Sequence, residues 1–316
     1  MMYDRLYDRL KERILITGGL GFIGSHLEPE LIKRGHEVCI MDRVRTNRER
    51  YYRGDICDYS RMEHIFDKVK PDLVIHLAAM VSRKESEETP YMAIQTNVDG
   101  TLNIVLLCLK HNARLIYAGS SEEYGTAFDH GKVVSEDTPF GHPTSIYSMT
   151  KRMSEEIIQY YAIFKGLTAT TCRFFMLYGP GEAATDYRSA MIRFIDAAKK
   201  GEDIVAHRGT ERQWCYIDDA VQGIVKIVEW VQVDYYAAFN IGRDEKVSAE
   251  GLARIIKRLT HSKSEVVVAE PEETIIPVKL ASFRKMQKVF GWQAKTPIEV
   301  GISKVLAWYN WNGEKK

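Results

Sequence analysis

RILITGGLGFIG, Arg13 to Gly24, is the stretch whose reading decides the fold. Ile14-Leu15-Ile16 reads as a short apolar strand that stops at a glycine-rich turn, and a helix follows from Phe22 to Lys33-Arg34-Gly35. Gly18, Gly21 and Gly24 are spaced G-x-x-G-x-x-G. In a dinucleotide site each has a physical reason to lack a Cβ. One makes the tight turn, one lets backbone approach a pyrophosphate, and one lets helix and strand pack closely. The anion then sits against Phe22, Ile23 and Gly24, at the positive end of the helix, where free N–H groups point at it. Glycines also serve ordinary turns, so context gives the pattern its meaning. A strand precedes it, a helix follows, and a second strand, Glu37 to Met41, ends in Asp42. An acidic residue there, roughly 20 residues past the motif, can hydrogen-bond an adenosine ribose. Asp42 favours NAD, because a 2′-phosphate would meet its negative charge. Arg43, with Arg45, Arg48 and Arg50, points the other way, toward NADP or a solvated basic loop.

The 316 residues, 45% of them hydrophobic, suffice for a large core and two lobes. The net charge of +1 supplies no field that favours nucleic acid or an anionic membrane. No apolar run approaches the ~20 residues of a membrane span. The N-terminus, MMYDRLYDRLKER, lacks the apolar core of a signal peptide, and its repeated YDRL reads as a short helical lead-in or an appended remnant. The five cysteines are scattered, with Cys39 and Cys172 in strand-like runs. Without a paired C-x-x-C, neither a metal site nor a disulfide framework is expected, and the cytoplasm is the expected location.

Strand and helix patterns alternate through the first half. Asp72 to Leu77 is a continuous apolar run after Pro71; Arg114 to Ala118 is another, and Thr168 to Phe175 a third. Such strands separated by helices predict an α/β protein whose parallel sheet is covered on both faces. Ligands in these sheets bind beyond the carboxyl ends of the strands. There, Gly54-Asp55-Ile56 offers a carboxylate and an apolar side chain for an adenine, and Leu77-Ala78-Ala79 leaves room for a flat cofactor. The run Arg114 to Ala118 leads into Gly119-Ser120-Ser121-Glu122-Glu123-Tyr124-Gly125, and Tyr147-Ser148-Met149-Thr150-Lys151 follows. On a helix, Tyr147 and Lys151 share a face. The ammonium can then lower the phenol pKa from ~10 toward working pH. A phenolate near a nicotinamide is a base for a substrate hydroxyl, and Ser120 can hydrogen-bond the same oxygen as charge develops.

The chain resembles the extended short-chain dehydrogenases/reductases of the nucleotide-sugar epimerase/dehydratase group. The resemblance covers nearly everything after the first dozen residues. It rests on Thr17 to Gly24, Asp42, Asp55-Ile56, His76 to Ala79, Asn97, Ser120, Tyr147 and Lys151. It continues through Arg173-Phe174-Phe175-Met176-Leu177-Tyr178-Gly179-Pro180-Gly181, Arg212 to Asp219, Asn240-Ile241-Gly242 and Phe290-Gly291-Trp292. These motifs are specific to the group and much less specific to one reaction in it.

The resemblance implies a Rossmann-type doubly wound domain over residues 12–178, with 213–243 returning to it, and a smaller nucleotide-sugar lobe over 179–212 and 244–316. It makes Ser120, Tyr147 and Lys151 the catalytic trio, with Ser121 toward the substrate and Asn97 supporting the lysine through water. Arg212, a fork of donors suited to phosphate oxygens, stands ahead of Asp218-Asp219, which read as helix N-caps. There are three departures from the group's pattern. Met176 replaces an asparagine that contacts the sugar phosphate. Lys279, a point charge, is the only cation near the place of a diphosphate-clamping arginine. Glu122-Glu123 replaces small or apolar residues of simple 4-epimerases. Glu122 aligns with a glutamate of 4,6-dehydratases and sugar-acid decarboxylases; Glu123 has no such counterpart.

The reaction implied is oxidation of a nucleotide sugar at C4. Return of the hydride to the other face gives a 4-epimerase, the leading expectation. A 4,6-dehydratase or a 4-keto-6-deoxy sugar reductase is the alternative, and the intact trio argues against a silent cofactor-binding scaffold. A homodimer is expected through Thr96 to His111 and Tyr147 to Lys165, with Leu102, Val105, Leu106 and Leu109 as an apolar stripe.

Overall fold

Seven strands form the central sheet: β1 Arg13–Thr17, β2 Glu37–Asp42, β3 Tyr51–Arg53, β4 Leu73–His76, β5 Arg114–Ser120, β6 Ala169–Phe174 and β7 Tyr236–Ile241. The computed structural model describes residues 11–182, 189–271 and 275–313, so the YDRL repeat lies outside the described residues. The strand order is β7-β6-β5-β4-β1-β2-β3. β1 pairs parallel with β2 on one side and β4 on the other, Ile14 standing beside Val38 and Leu73. β2–β3 and β4–β5 are parallel as well. The chain leaves β1 toward β3, then crosses back to β4, so the strand order reverses between β1 and β4. A Rossmann-type sheet opens its ligand crevice at such a switch point, beyond the strand carboxyl ends.

The sheet forms because its strands have no polar face. Ile14, Leu15, Ile16, Leu73, Val74 and Ile75 are all wholly buried. Four helices matter for the site: α1 Phe22–Lys33, α2 Tyr59–Val69, α3 Gly100–His111 and α4 Ile146–Lys165. Asp58 caps α2 by accepting the Arg61 N–H, and Ser145 caps α4 by accepting that of Ser148. Met62, Phe66, Ile104, Leu107 and Ile158 from these helices meet Leu15, Val74 and Leu115 in one core. Val105 belongs to this core, which leaves Leu102, Leu106 and Leu109 as the half-buried part of the predicted stripe. α3 continues a helical stretch that starts at Pro90 and passes through a π turn, Gln95–Asp99. These 22 residues are long and apolar enough to cross a membrane by length and composition alone, a test that the core helix of a folded domain also passes; half of their most apolar window is buried within the fold.

The chain divides into two compact units. The first holds residues up to Glu123, then Ser145–Arg173 and Val221–Phe239; the second holds Tyr124–Thr144, Phe174–Ala220 and Asn240 onward. The return to the first unit thus starts at Val221 rather than at 213, and 124–144 goes with the second. The reason is aromatic. Tyr124, Phe128, Phe175 and Phe283 bury themselves in one cluster with Val134 and Ala281, and the Tyr124 hydroxyl donates to Asn240 Oδ1 at 2.7 Å. Asp219 also departs from expectation. Its Oδ2 accepts the N–H groups of Lys295 and Thr296 instead of capping its own helix.

Candidate active site

The glycine turn is built by steric necessity. Gly18 has φ +68°, and a Cβ there would stand 2.7 Å from the Ala78 nitrogen. A Cβ on Gly24 would stand 2.5 Å from the Gly19 oxygen. Gly21 is the N-cap of α1, makes no side-chain cap, and no acidic residue lies in the first turn. The first N–H groups of α1 therefore face an exposed glycine, a cradle that fits a pyrophosphate. Replacing Gly18 by alanine forces the left-handed conformation on a residue with a Cβ, a cost of about 1–2 kcal/mol before the clash with Ala78 is added. The expected result is a lowered urea midpoint and loss of co-purifying nucleotide; wild-type values for both would contradict it.

Asp42, at the carboxyl end of β2, accepts the N–H of Leu20 at 3.1 Å and of Arg43 at 2.7 Å. It thereby ties the glycine turn to the second strand. Arg43, Arg53, Gly54, Asp55, Asp58 and Arg61 line a cleft of about 520 Å³. Asp55 keeps its place in that cleft. Ile56 does not, contrary to the reading of the sequence: it is 3% exposed and lies against Gly100, where a Cβ would come within 2.6 Å of it. The turn after β3 aims its side chain into the core.

Beyond β4, the Leu77 N–H is held by the Thr17 carbonyl and the Ala78 N–H by the Thr17 hydroxyl. Leu77, Ala78 and Ala79 are half-buried. His76 joins Thr17 Oγ1, 2.7 Å from Nδ1, to Thr101 Oγ1, 3.1 Å from Nε2. Thr101 spends its own proton on the Asn97 carbonyl, so it accepts from His76 Nε2–H, and Nδ1 accepts from Thr17. Burial, with Lys151 nearby, pushes His76 down to about 3 and keeps it neutral. Asn97 is 1% exposed and its direct partners are Met80 and Thr150. Its amide donates to Met80 O and Thr150 Oγ1, both at 3.0 Å, and its Oδ1 accepts the Met80 N–H.

Ser120 ends β5, and the chain turns at once. Ser120 Oγ accepts the Glu122 N–H at 3.2 Å, and Ser148 on α4 donates to the Glu122 carbonyl at 2.9 Å. That turn keeps Ser120, Ser121 and Glu122 beside the first two turns of α4, where Tyr147 and Lys151 are both buried. Burial pushes the Tyr147 phenol up; a hydrogen bond with Ser120 pulls it down, and the Glu122 and Glu123 carboxyls push it up again. Lys151, one turn along α4 from Tyr147, is held from the β5 side. Its Nζ donates to the Ala118 carbonyl at 2.8 Å and stands 4.7 Å from the Tyr117 ring centre. Burial lowers the Lys151 pKa, against the pull of Glu123. Both groups are therefore strained toward neutrality until one has the other as counter-ion.

Behind this face lies a cluster the sequence reading missed. Glu155 is fully buried and receives both arms of Arg173, the Tyr236 hydroxyl at 2.8 Å and Gln159 at 3.2 Å. Burial raises its pKa, but hydrogen bonds from Glu123 and Arg173 outweigh it and hold the carboxyl below its ordinary value. Tyr147, Lys151 and Glu155 recur every four residues on α4, so the spacing itself carried the signal.

Residues 14–242 match the family profile of the NAD dependent epimerase/dehydratases. The chain belongs to that family. It is 31% identical over 321 residues to UDP-N-acetyl-alpha-D-glucosaminuronate decarboxylase of Bacillus cytotoxicus, covering 95% of this chain and 98% of that one. It is 28% identical to UDP-glucuronate 4-epimerase 2 of Arabidopsis thaliana, over 94% of this chain and 75% of that one. Among solved structures, the UDP-glucose 4-epimerase of Thermotoga maritima with UDP-glucose superposes with a TM-score of 0.85 at 27% identity, over 95% of this chain and 99% of that one. As a family member the chain is an NAD-dependent enzyme, and the cradle at Gly18 to Gly24 has the shape such a cofactor needs.

The remaining candidates lie in the second unit. Arg212 is not an open fork: Nη1 donates to the Pro277 and Glu211 carbonyls and Nη2 to that of Ile276. Lys279 is 4% exposed, and its N–H donates to Glu211 O. Met176 has φ 29°, and its carbonyl accepts the Cys215 N–H at 3.1 Å. A methionine is strained there, whereas asparagine enters the left-handed region readily. Met176→Asn is expected to raise stability by about 1 kcal/mol, the lower end of what such strain stores. A lower urea midpoint in the variant would contradict this.

Proposed function

We propose that this chain oxidises a UDP-sugar at C4 and reduces the resulting ketone from the other side, a 4-epimerisation. The observation that carries the reading is the burial of Ser120, Tyr147 and Lys151 together, at the carboxyl end of β5. The relatives named above act on UDP-sugars by their names, which supports that nucleotide. When bound, NAD supplies the acceptor and donor of the C4 hydride. Tyr147 takes the C4 hydroxyl proton, and Ser120 hydrogen-bonds the oxygen as its charge changes. Lys151 supplies the positive charge that offsets the phenolate. Burial that disfavours each ion alone favours the two as a pair.

A second reading has its own observation. The Bacillus cytotoxicus relative is a decarboxylase, and Glu122 lies close enough to Tyr147 to shift its pKa. Oxidation of a UDP-uronic acid at C4 gives a β-keto acid. Its C5–C6 bond breaks with loss of carbon dioxide, the electrons pass to the ketone oxygen, and a proton returns to C5. Incubation with a panel of UDP-sugars, followed by mass and NMR, separates the readings. An isomer of unchanged mass supports the epimerase. Loss of carbon dioxide assigns the decarboxylase, loss of water the dehydratase, and gain of two hydrogens the reductase. No conversion across neutral and acidic UDP-sugars contradicts the proposal as a whole.

The same reading includes a homodimer. α4 carries Tyr160, Ile163 and Phe164 at 50%, 62% and 69% exposure, and α3 its half-buried leucines. An apolar face of this kind supports a second copy as its cover. Light scattering at micromolar concentration should give twice the chain mass; a monomer mass would refute the dimer. The proposed compartment is the cytoplasm, whose reducing poise suits five free cysteines.

A further inference from the structure

Glu123 is a carboxyl in the cluster to which the reaction above gives no role. It is wholly buried, one residue past Glu122. Its Oε1 accepts the Ser120 backbone N–H at 2.7 Å. Its Oε2 accepts no hydrogen bond, with Arg173 Nε 3.7 Å away. That same Nε donates to Glu155 Oε2 at 3.1 Å. Glu155 has donors on both oxygens, from Arg173, Tyr236 and Gln159. Two carboxyls therefore share one guanidinium, and only Glu155 has the donors of an anion. A buried carboxyl oxygen with no donor is where a proton belongs.

We propose that Glu123 is a positioning residue held as a neutral acid: Oε1 fixes the Ser120 N–H, and the Oε2 proton is directed at Glu155. The charge count supports it. The groups around Glu123 are Arg173 on β6, Glu155, Lys151 and Tyr147 on α4, Tyr117 on β5, and Tyr236, which reaches Glu155 from β7. With Glu123 neutral, Arg173 balances Glu155 and the charge of Lys151 is left for a Tyr147 phenolate. With Glu123 ionised, Lys151 would be neutralised from behind and the phenol pushed further up. The raised pKa of Glu123, set by burial and then by Glu155, agrees with this assignment. Its part in the reaction rests on Ser120 and Tyr147 being the substrate-facing groups. Its protonation does not.

Infrared difference spectroscopy of wild type against Glu123→Gln at pH 7 reads the protonation directly. The expected result is the C=O stretch of a protonated carboxylic acid that disappears in the variant; a carboxylate signal alone would overturn the proposal. Kinetics read the positioning. Glutamine keeps the acceptor for Ser120 and a donor for Glu155, so Glu123→Gln should retain turnover within about threefold, with an unchanged pH profile. Glu123→Val leaves the Ser120 N–H buried without an acceptor and should lose about 10-fold or more. A large loss in the glutamine variant, or full activity in the valine variant, would overturn the positioning role. An infrared acid signal with no turnover of any UDP-sugar would leave Glu123 neutral and sink the functional reading instead.

Discussion

Tyr147→Phe should lower turnover by at least ~10²-fold, the scale of a lost general acid–base group. The ring is kept, so the packing around a buried residue is preserved. What disappears is the oxygen that Ser120 pulls toward ionisation and that Lys151 stands ready to balance. The glycine cradle belongs to β1 and α1 and is untouched, so the nucleotide released on denaturation should match wild type in kind and amount. Near-normal turnover in this variant would remove Tyr147 from the chemistry.

Arg173→Met should cost about 3–5 kcal/mol of stability, the usual consequence of removing one partner from a buried ion pair. Arg173 is 3% exposed and bridges Glu155 and Glu123 at the end of β6. Methionine fills much of the volume but leaves Glu155 charged with no cation against it, answered by hydrogen bonds from Tyr236, Gln159 and Glu123 alone. Chemical denaturation gives the number. A loss under about 1 kcal/mol would mean that the pair is solvated and that its charges are not those of a sealed cluster. Adding Glu155→Gln to the variant should recover part of the loss, because the orphaned charge goes with it.

The sheet and the glycine turn were legible in the sequence because both follow from local rules. Continuous apolar strands leave no polar face, and G-x-x-G-x-x-G between a strand and a helix has few other uses. Tyr147 and Lys151 were legible by helical spacing. What they bind was not, because the lysine's Nζ goes to Ala118 O, a contact set by how α4 meets β5. Ile56 illustrates the same limit, since one turn decides whether it faces an adenine or Gly100. Arg212 was read as a phosphate fork from its residue type alone, but its donors meet carbonyls at Ile276 and Pro277, more than sixty positions away. Glu123 had no reading at all. Its meaning comes from Glu155 and Arg173, which chain folding brings to it and which no neighbouring residue announces.

The central claim is that hydride leaves C4 while Tyr147 takes the hydroxyl proton. The direct measurement is turnover of a UDP-sugar deuterated at C4 by the enzyme carrying its cofactor, in ordinary water, with the product examined by NMR and mass. The account predicts that the deuterium stays in the sugar, back at C4 in the epimer or in the decarboxylated product. Product that has exchanged its C4 deuterium for a solvent proton would show that C4 loses a proton rather than a hydride, and would contradict it.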